Sequence, residues 1–326
     1  MISTTRALTA GLYGSAIGDA LGQPAQFNSF TDQQTHPVTE MAVGVYDTRP
    51  GTWSDDTSMT LATLAAMSTV TSPQEQLRTT MTNFEAWLTD GAFTPAGWTF
   101  DEGNGTVLAL THYRTNHDLF HAGSDDEQNN GNGALMRFLV PALYYTHLDG
   151  TAIFDHPDHV RALIDLAQLT HRHPRSTVAC LIYTAMVAQL VTNPQQAPQQ
   201  LIQTAITTLA NALVTNPALT AQMVYFKRLA DPAFYQLQPA QLTSSGYVVD
   251  TLEVVCWLLN QPTNYRETML TAVNFGGDAD TIACIAGGLI AIRDGLAILP
   301  SDWIQQLQGQ AVLHDSLHTA LQSGQF

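Results

Sequence analysis

Residues Ser176 to Val191 read STVACLIYTAMVAQLV, and their apolar side chains recur at intervals of three and four. That spacing follows the helical period of about 3.6 residues and not the two-residue alternation of a strand. Val160 to Leu169, Gln199 to Val214, Thr251 to Leu259 and Thr281 to Arg293 repeat the pattern. Pro174, Pro194, Pro198, Pro217, Pro232, Pro239 and Pro262 fall between such segments, where a missing N–H is tolerated. Alternation over a strand length is scarce, and Asn130-Gly131 and Asp149-Gly150 do not sit between β-branched runs. The chain is therefore predicted to be all-α, a bundle of many short helices.

No compositional break marks a linker. Thr192 to Gln200 is rich in Pro, Gln and Asn but short, so residues 1–326 are expected to form a single domain. The stretch GSDDEQNNGNG from Gly123 to Gly133 predicts a long surface loop, a kind of segment that tends to carry function. Gly11, Gly14, Ser15, Gly18 and Gly22 recur at three and four in the first helical segment. Each glycine costs a helix about 1 kcal/mol relative to alanine. A smooth stripe of them predicts another helix packed unusually close.

Lys plus Arg number 12 against 28 Asp plus Glu, a formal net charge of −16. Such a surface repels polyanions, because non-specific nucleic-acid binding needs Lys and Arg to neutralise phosphates. Nucleic acid is not an expected partner, and the acidity also has a plain reading as solubilising charge. Cys180, Cys256 and Cys284 are far apart and form no CxxC pair, which predicts buried, reduced thiols. Ala7 to Ala25 is rich in small and apolar residues, but Asp19 and four glycines interrupt it. A soluble, cytoplasmic protein without a membrane partner is the expectation.

Two runs concentrate carboxylates where a loop enters a helix. The first is Gly51-Thr52-Trp53-Ser54-Asp55-Asp56-Thr57; the second is Gly276-Gly277-Asp278-Ala279-Asp280-Thr281. Helix capping accounts for either run alone, since Ser, Thr and Asp suit the N-terminal turn. A cap needs one side chain, however, and each run supplies two carboxylates plus hydroxyls. Acids packed together without a counter-ion repel each other, and a hard divalent cation such as Mg²⁺ or Mn²⁺ resolves that. Neither run contains His or Cys, which argues against zinc there.

These runs resemble the metal-binding signatures of the ADP-ribosylglycohydrolases. Gly14-Ser15-Ala16-Ile17-Gly18-Asp19-Ala20-Leu21-Gly22 is similar to that family's opening helix. Gly131-Asn132-Gly133-Ala134-Leu135-Met136-Arg137, Thr170-His171 and Ser245-Gly246-Tyr247-Val248-Val249-Asp250-Thr251-Leu252 resemble its later blocks, in order. The resemblance spans residues 9 to about 293. It implies an orthogonal helical bundle around a central dinuclear site, and hydrolysis at the anomeric carbon of ADP-ribose.

Carried over residue by residue, the resemblance implies two divalent cations, Mg²⁺ or Mn²⁺. Ser54, Asp55 and Asp56 would hold one; Asp278, Asp280 and Thr281 would hold the other, with Asp280 bridging. Asp55 or Asp56 would orient or deprotonate the attacking water. Gly103-Asn104-Gly105 and Gly131-Asn132-Gly133 would approach the pyrophosphate and ribose through backbone N–H groups. His171 would contact the distal ribose or phosphate, and Gly246 and Tyr247 the adenosine end. The implied substrate is an ADP-ribosylated protein, modified on arginine or another guanidine-like acceptor, or a smaller ADP-ribose-containing molecule. One position departs from the family: Gln26 stands where a glutamate bordering the metals is usual. Glutamine keeps a carbonyl oxygen but loses the charge. That substitution favours the alternative of a catalytically weak or inactive relative, ADP-ribose-binding or structural.

Overall fold

A computed structural model describes residues 1–326 and contains fifteen α-helices. The first half holds α1 (Thr4–Gly22), α2 (Phe30–Thr35), α3 (Asp55–Thr69), α4 (Pro73–Asp90), α5 (Asn104–Asn116), α6 (Leu139–Asp149) and α7 (Pro157–Gln168). Then follow α8 (Pro174–Thr192), α9 (Pro198–Ala212), α10 (Pro217–Gln222), α11 (Val248–Leu259) and α12 (Tyr265–Val273). The chain ends with α13 (Ala279–Asp294), α14 (Ser301–Gln306) and α15 (Gln310–Gln322). Short 3-10 turns join several of them. Extended pairing is confined to two isolated bridges, Ser124 with His171 and Gly131 with Tyr247.

The prolines do more than separate helices. Pro73, Pro157, Pro174, Pro198 and Pro217 each open one, where the ring's fixed φ suits the first turn and the N–H needs no partner. α7 and α8 therefore begin a few residues ahead of their apolar pattern. The segment nearest in length and composition to a membrane span is α8, not the N-terminal window, and it lies 94% buried inside the fold. Buried apolar side chains form one connected cluster of 90 residues. Cys180, Cys256 and Cys284 are unpaired and buried, as their spacing predicts.

The glycine stripe does what its spacing predicts. It seats α1 against α13 with the two backbones almost touching. A Cβ on Gly18 would lie 2.0 Å from the Ala283 carbonyl oxygen, and one on Gly14 would lie 2.5 Å from that of Gly287. A Cβ on Gly22 would lie 2.3 Å from the Cα of Asp280. Tyr265 locks the pair by donating its hydroxyl to the Gly14 carbonyl at 2.7 Å. The C-terminal end of α1 is thus pressed onto the N-terminal end of α13. This contact places one end of the glycine helix beside the second acidic run.

Candidate metal centre

The ends of α1, α3 and α13 meet. Ser54 is the N-cap of α3, with its hydroxyl accepting from the Asp56 N–H at 3.3 Å. Asp19, from the buried side of α1, accepts from the Ser54 and Thr57 N–H groups at 2.9 and 3.0 Å and from the Thr57 hydroxyl at 2.6 Å. One carboxylate therefore satisfies donors that the first turn of α3 would otherwise leave open. Thr281 of α13 donates to Asp56 at 3.3 Å, tying the two acidic runs together across the fold. Gln23, just past α1, donates its amide to Asp280 at 2.6 Å. Asn132 donates to Asp278 at 2.5 Å and to Thr251 at 2.9 Å.

Asp19, Asp56 and Asp280 each bring a carboxylate oxygen within 4.8 Å of the other two. All three are buried, and Asp55 is 7% exposed. No Lys, Arg or His neutralises them. Burial is the largest force holding their protons, and mutual repulsion adds to it. Asp55, Asp56 and Asp280 are pushed well above the usual carboxylate range, and Asp278 is raised as well. Asp19 rises to about 6, the burial being partly offset by its bonds to Thr57 and Ser54. One oxygen each of Asp56 and Asp280, and the side-chain carbonyls of Gln23 and Gln26, are buried with no hydrogen-bond partner. Buried acceptors without donors, in a cluster short of positive charge, fit hard divalent cations that take oxygen ligands.

This arrangement fixes the sign of a pH effect. A carboxyl that holds its proton more tightly folded than unfolded stabilises the fold below its unfolded pKa. That contribution is lost as pH rises through the folded value, about 6 for Asp19. The metal-free protein should melt at a higher temperature near about pH 5 than near about pH 7.5, and Mg²⁺ should raise the melting temperature more at the higher pH. Scanning calorimetry with and without chelator measures both. A metal-free melting temperature that rises across this window would contradict the assignment.

Beside the acids, three glycines pack around a histidine. Gly105, Gly131 and Gly133 surround the imidazole of His171, so that a Cβ on Gly133 would lie 2.7 Å from the ring. The ring is buried, and its Nδ1 lies 3.0 Å from the Thr170 hydroxyl. Burial, with the Arg137 charge second, pushes its pKa down to about 3, so the imidazole is neutral. Gly103 and Asn104 lie on the exposed rim at the start of α5. The Asn132 N–H is engaged by the Gly246 carbonyl at 3.0 Å, so this residue fixes the loop instead of presenting a free donor. Tyr247 accepts at its hydroxyl from Arg175 at 3.0 Å, and that guanidinium lies 3.5 Å over the Tyr225 ring.

The structure thus gathers Ser54, Asp55, Asp56, Asp278, Asp280 and Thr281, and it adds Asp19, Gln23 and Asp101, which sequence reasoning missed. Asp101 accepts from Gln26 at 2.7 Å and from the Tyr46 hydroxyl at 2.7 Å. A charged residue inside the apolar glycine helix was the signal for Asp19. Asp101 had none: it sits in a turn at φ 62° between helices.

The family described as ADP-ribosylglycohydrolase matches residues 3–325. An ADP-ribosyl-[dinitrogen reductase] glycohydrolase of Rhodospirillum rubrum is 29% identical over 309 residues, covering 93% of this chain and 90% of that one. The ADP-ribosylarginine hydrolase Tri1 of Serratia proteamaculans is 27% identical over 302 residues, covering 92% of this chain and 74% of its own. Among solved structures, an ADP-ribosylglycohydrolase-related protein complex superposes with a TM-score of 0.70 at 23% identity, covering 98% and 99% of the two chains. That last likeness concerns the fold alone.

Proposed function

Because this chain belongs to the ADP-ribosylglycohydrolase family, and is therefore a glycosidic-bond hydrolase, we propose that it removes mono-ADP-ribose from a protein arginine with the help of two divalent cations, Mg²⁺ or Mn²⁺. The observation carrying the metal requirement is the convergence of Asp19, Asp56 and Asp280 with partnerless buried oxygens and no cationic side chain. Ser54, Asp55, Asp56, Asp278, Asp280 and Thr281 would hold the cations. Bound there, they would polarise ribose hydroxyls and a water next to the anomeric carbon.

The side chains divide the remaining work. Asp19 holds the first turn of α3 in place, so Asp55 and Asp56 stay aimed into the cluster. Asp55 keeps surface contact, 7% against 1% for Asp56, and is the acid placed to exchange a proton with a reactant. The glycines let the backbone at 105, 131 and 133 pack directly on the His171 ring, which a side chain at Gly133 would strike. Gly103-Asn104-Gly105 and Gly131-Asn132-Gly133 would border the ribose and pyrophosphate.

An aromatic wall next to Asp101 supports arginine as the acceptor. Phe27, Tyr46, Phe100 and Trp98 form a continuous series, with ring centroids 6.5, 5.6 and 5.1 Å apart. Phe27 is 68% exposed and Trp98 48%. Exposed ring faces beside carboxylates favour a flat cation, and a guanidinium is the side chain that meets that description. The Serratia relative is named for the same acceptor. Release of ADP-ribose from an ADP-ribosyl-arginine protein, compared with an ADP-ribosyl-serine protein, tests the reading in Mg²⁺, Mn²⁺ and chelator. Preference for serine, or turnover unaffected by chelator, would sink it.

Gln26 favours the second reading, a weakly active relative. Its amide neutralises nothing and is spent on Asp101. Gln26→Glu would set a second carboxylate beside that one, so the variant should be less stable than wild type without metal. With metal the added charge should lower the Mg²⁺ needed for half-maximal activity by about tenfold, a residual gain of about 1.4 kcal/mol. Unchanged melting temperature and unchanged midpoint would place Gln26 outside the metals' reach.

A further inference from the structure

We propose that Asp149, His156 and His159 form a second, independent metal site, selective for imidazole-binding ions such as Zn²⁺. Asp149 is the last residue of α6; His156 precedes α7, and His159 lies in its first turn. Each offers one ligand atom, and the three atoms lie within 4.8 Å of one another. His159 Nδ1 is 2.5 Å from one Asp149 oxygen, and His156 Nε2 is 3.7 Å from the other. Tetrahedral coordination at about 2.1 Å separates ligand atoms by about 3.4 Å, a spacing these two distances bracket. Small rotations of the side chains reach it without moving either helix.

Three further features point the same way. The Asp149 side chain is only 10% exposed, and its charge partners are the two imidazoles, with no Lys or Arg. A carboxylate so withdrawn from water needs a positive partner, and a divalent ion held between it and the two rings supplies one. His156 occupies the N-cap of α7 yet its side chain caps nothing, unlike His173, whose Nδ1 accepts from the Arg175 N–H at 3.1 Å. Its ring points instead toward Asp149. His159 is held by Tyr145, whose ring lies 5.1 Å away at 47°. With His156 52% exposed, water can take the fourth position, as in an open three-ligand site.

This site differs from the acidic cluster in chemistry. Imidazole suits Zn²⁺ and Co²⁺, whereas a cluster of carboxylates and hydroxyls suits Mg²⁺. Titrating Co²⁺ into the full-length protein in excess Mg²⁺, and reading the visible bands of the four-coordinate ion, therefore reports on the imidazole site. One equivalent should bind, and the melting temperature should rise as Co²⁺ is added. His156→Ala and His159→Ala should each weaken that binding by at least about tenfold, while Asp280→Ala should retain it. Both histidine variants change partly exposed side chains, and their metal-free melting temperatures report whether each folds. No saturable uptake by the wild type would overturn the proposal. So would uptake that survives in both histidine variants, or uptake lost with Asp280, which would put the ion in the acidic cluster.

Discussion

Asp280→Ala should lower turnover by at least about a thousandfold, some 4 kcal/mol in the barrier, while leaving the metal-free protein no less stable than wild type. Asp280 is fully buried, and one of its oxygens has no donor. Burial first, then Asp278, Asp101 and Asp56, hold its proton far above the usual range. It accepts from the Gln23 amide at 2.6 Å, an interaction of about 1 kcal/mol. Alanine gives up that bond but removes a buried acid from among like charges. The fold loses little, whereas the proposed centre loses the carboxylate that faces Asp19 and Asp56. Turnover at saturating Mg²⁺ and the melting temperature in chelator measure the two halves separately. Retained Mg²⁺-dependent turnover would remove Asp280 from the centre. A large fall in the metal-free melting temperature would make it a structural acid.

The helices were legible because their cause is local. Apolar residues three and four apart, bounded by proline, require nothing from the rest of the chain, and α8 and α13 follow the pattern closely. The two acidic runs were legible for a similar reason: a cap needs one side chain, and each run supplies two carboxylates plus hydroxyls. Asp19 was not, because its function depends on a contact no local pattern contains. Alone in an apolar helix it reads as an interruption; only the meeting of α1 and α3 shows it collecting the donors of Ser54 and Thr57. Asp101 depends on a positive-φ turn that brings it to Gln26 and Tyr46. The packing around His171 is built by Gly105 of α5 and by Gly131 and Gly133 of a later loop, and spacing along the chain carries no trace of such a meeting.

Gly18→Ala should destabilise the protein by about 3 kcal/mol or more, against the direction that helix propensity alone would give. In an isolated helix the change would stabilise by about 1 kcal/mol. Here the new methyl would lie 2.0 Å from the Ala283 oxygen, 2.4 Å from its carbonyl carbon and 2.9 Å from the Cys284 nitrogen. All three are backbone atoms, so no rotamer change relieves the overlap and the helices must part. Gly11 provides the internal control. Its nearest neighbours are side-chain carbons, Ile292 Cγ1 and a Leu139 methyl, both at 3.2 Å, which can give way where backbone cannot. Gly11→Ala should therefore change stability by no more than about 1 kcal/mol in either direction. Separation at Gly18 also acts on the neighbouring residue, because Asp19 reaches α3 from the same turn of α1. Whatever fraction of Gly18→Ala remains folded should bind Mg²⁺ more weakly, although no proposed ligand has been altered. Denaturant midpoints for both variants, with Mg²⁺ titrations by calorimetry, test the chain of cause from packing to centre. Equal costs at Gly11 and Gly18 would show that close backbone approach is not what the stripe provides.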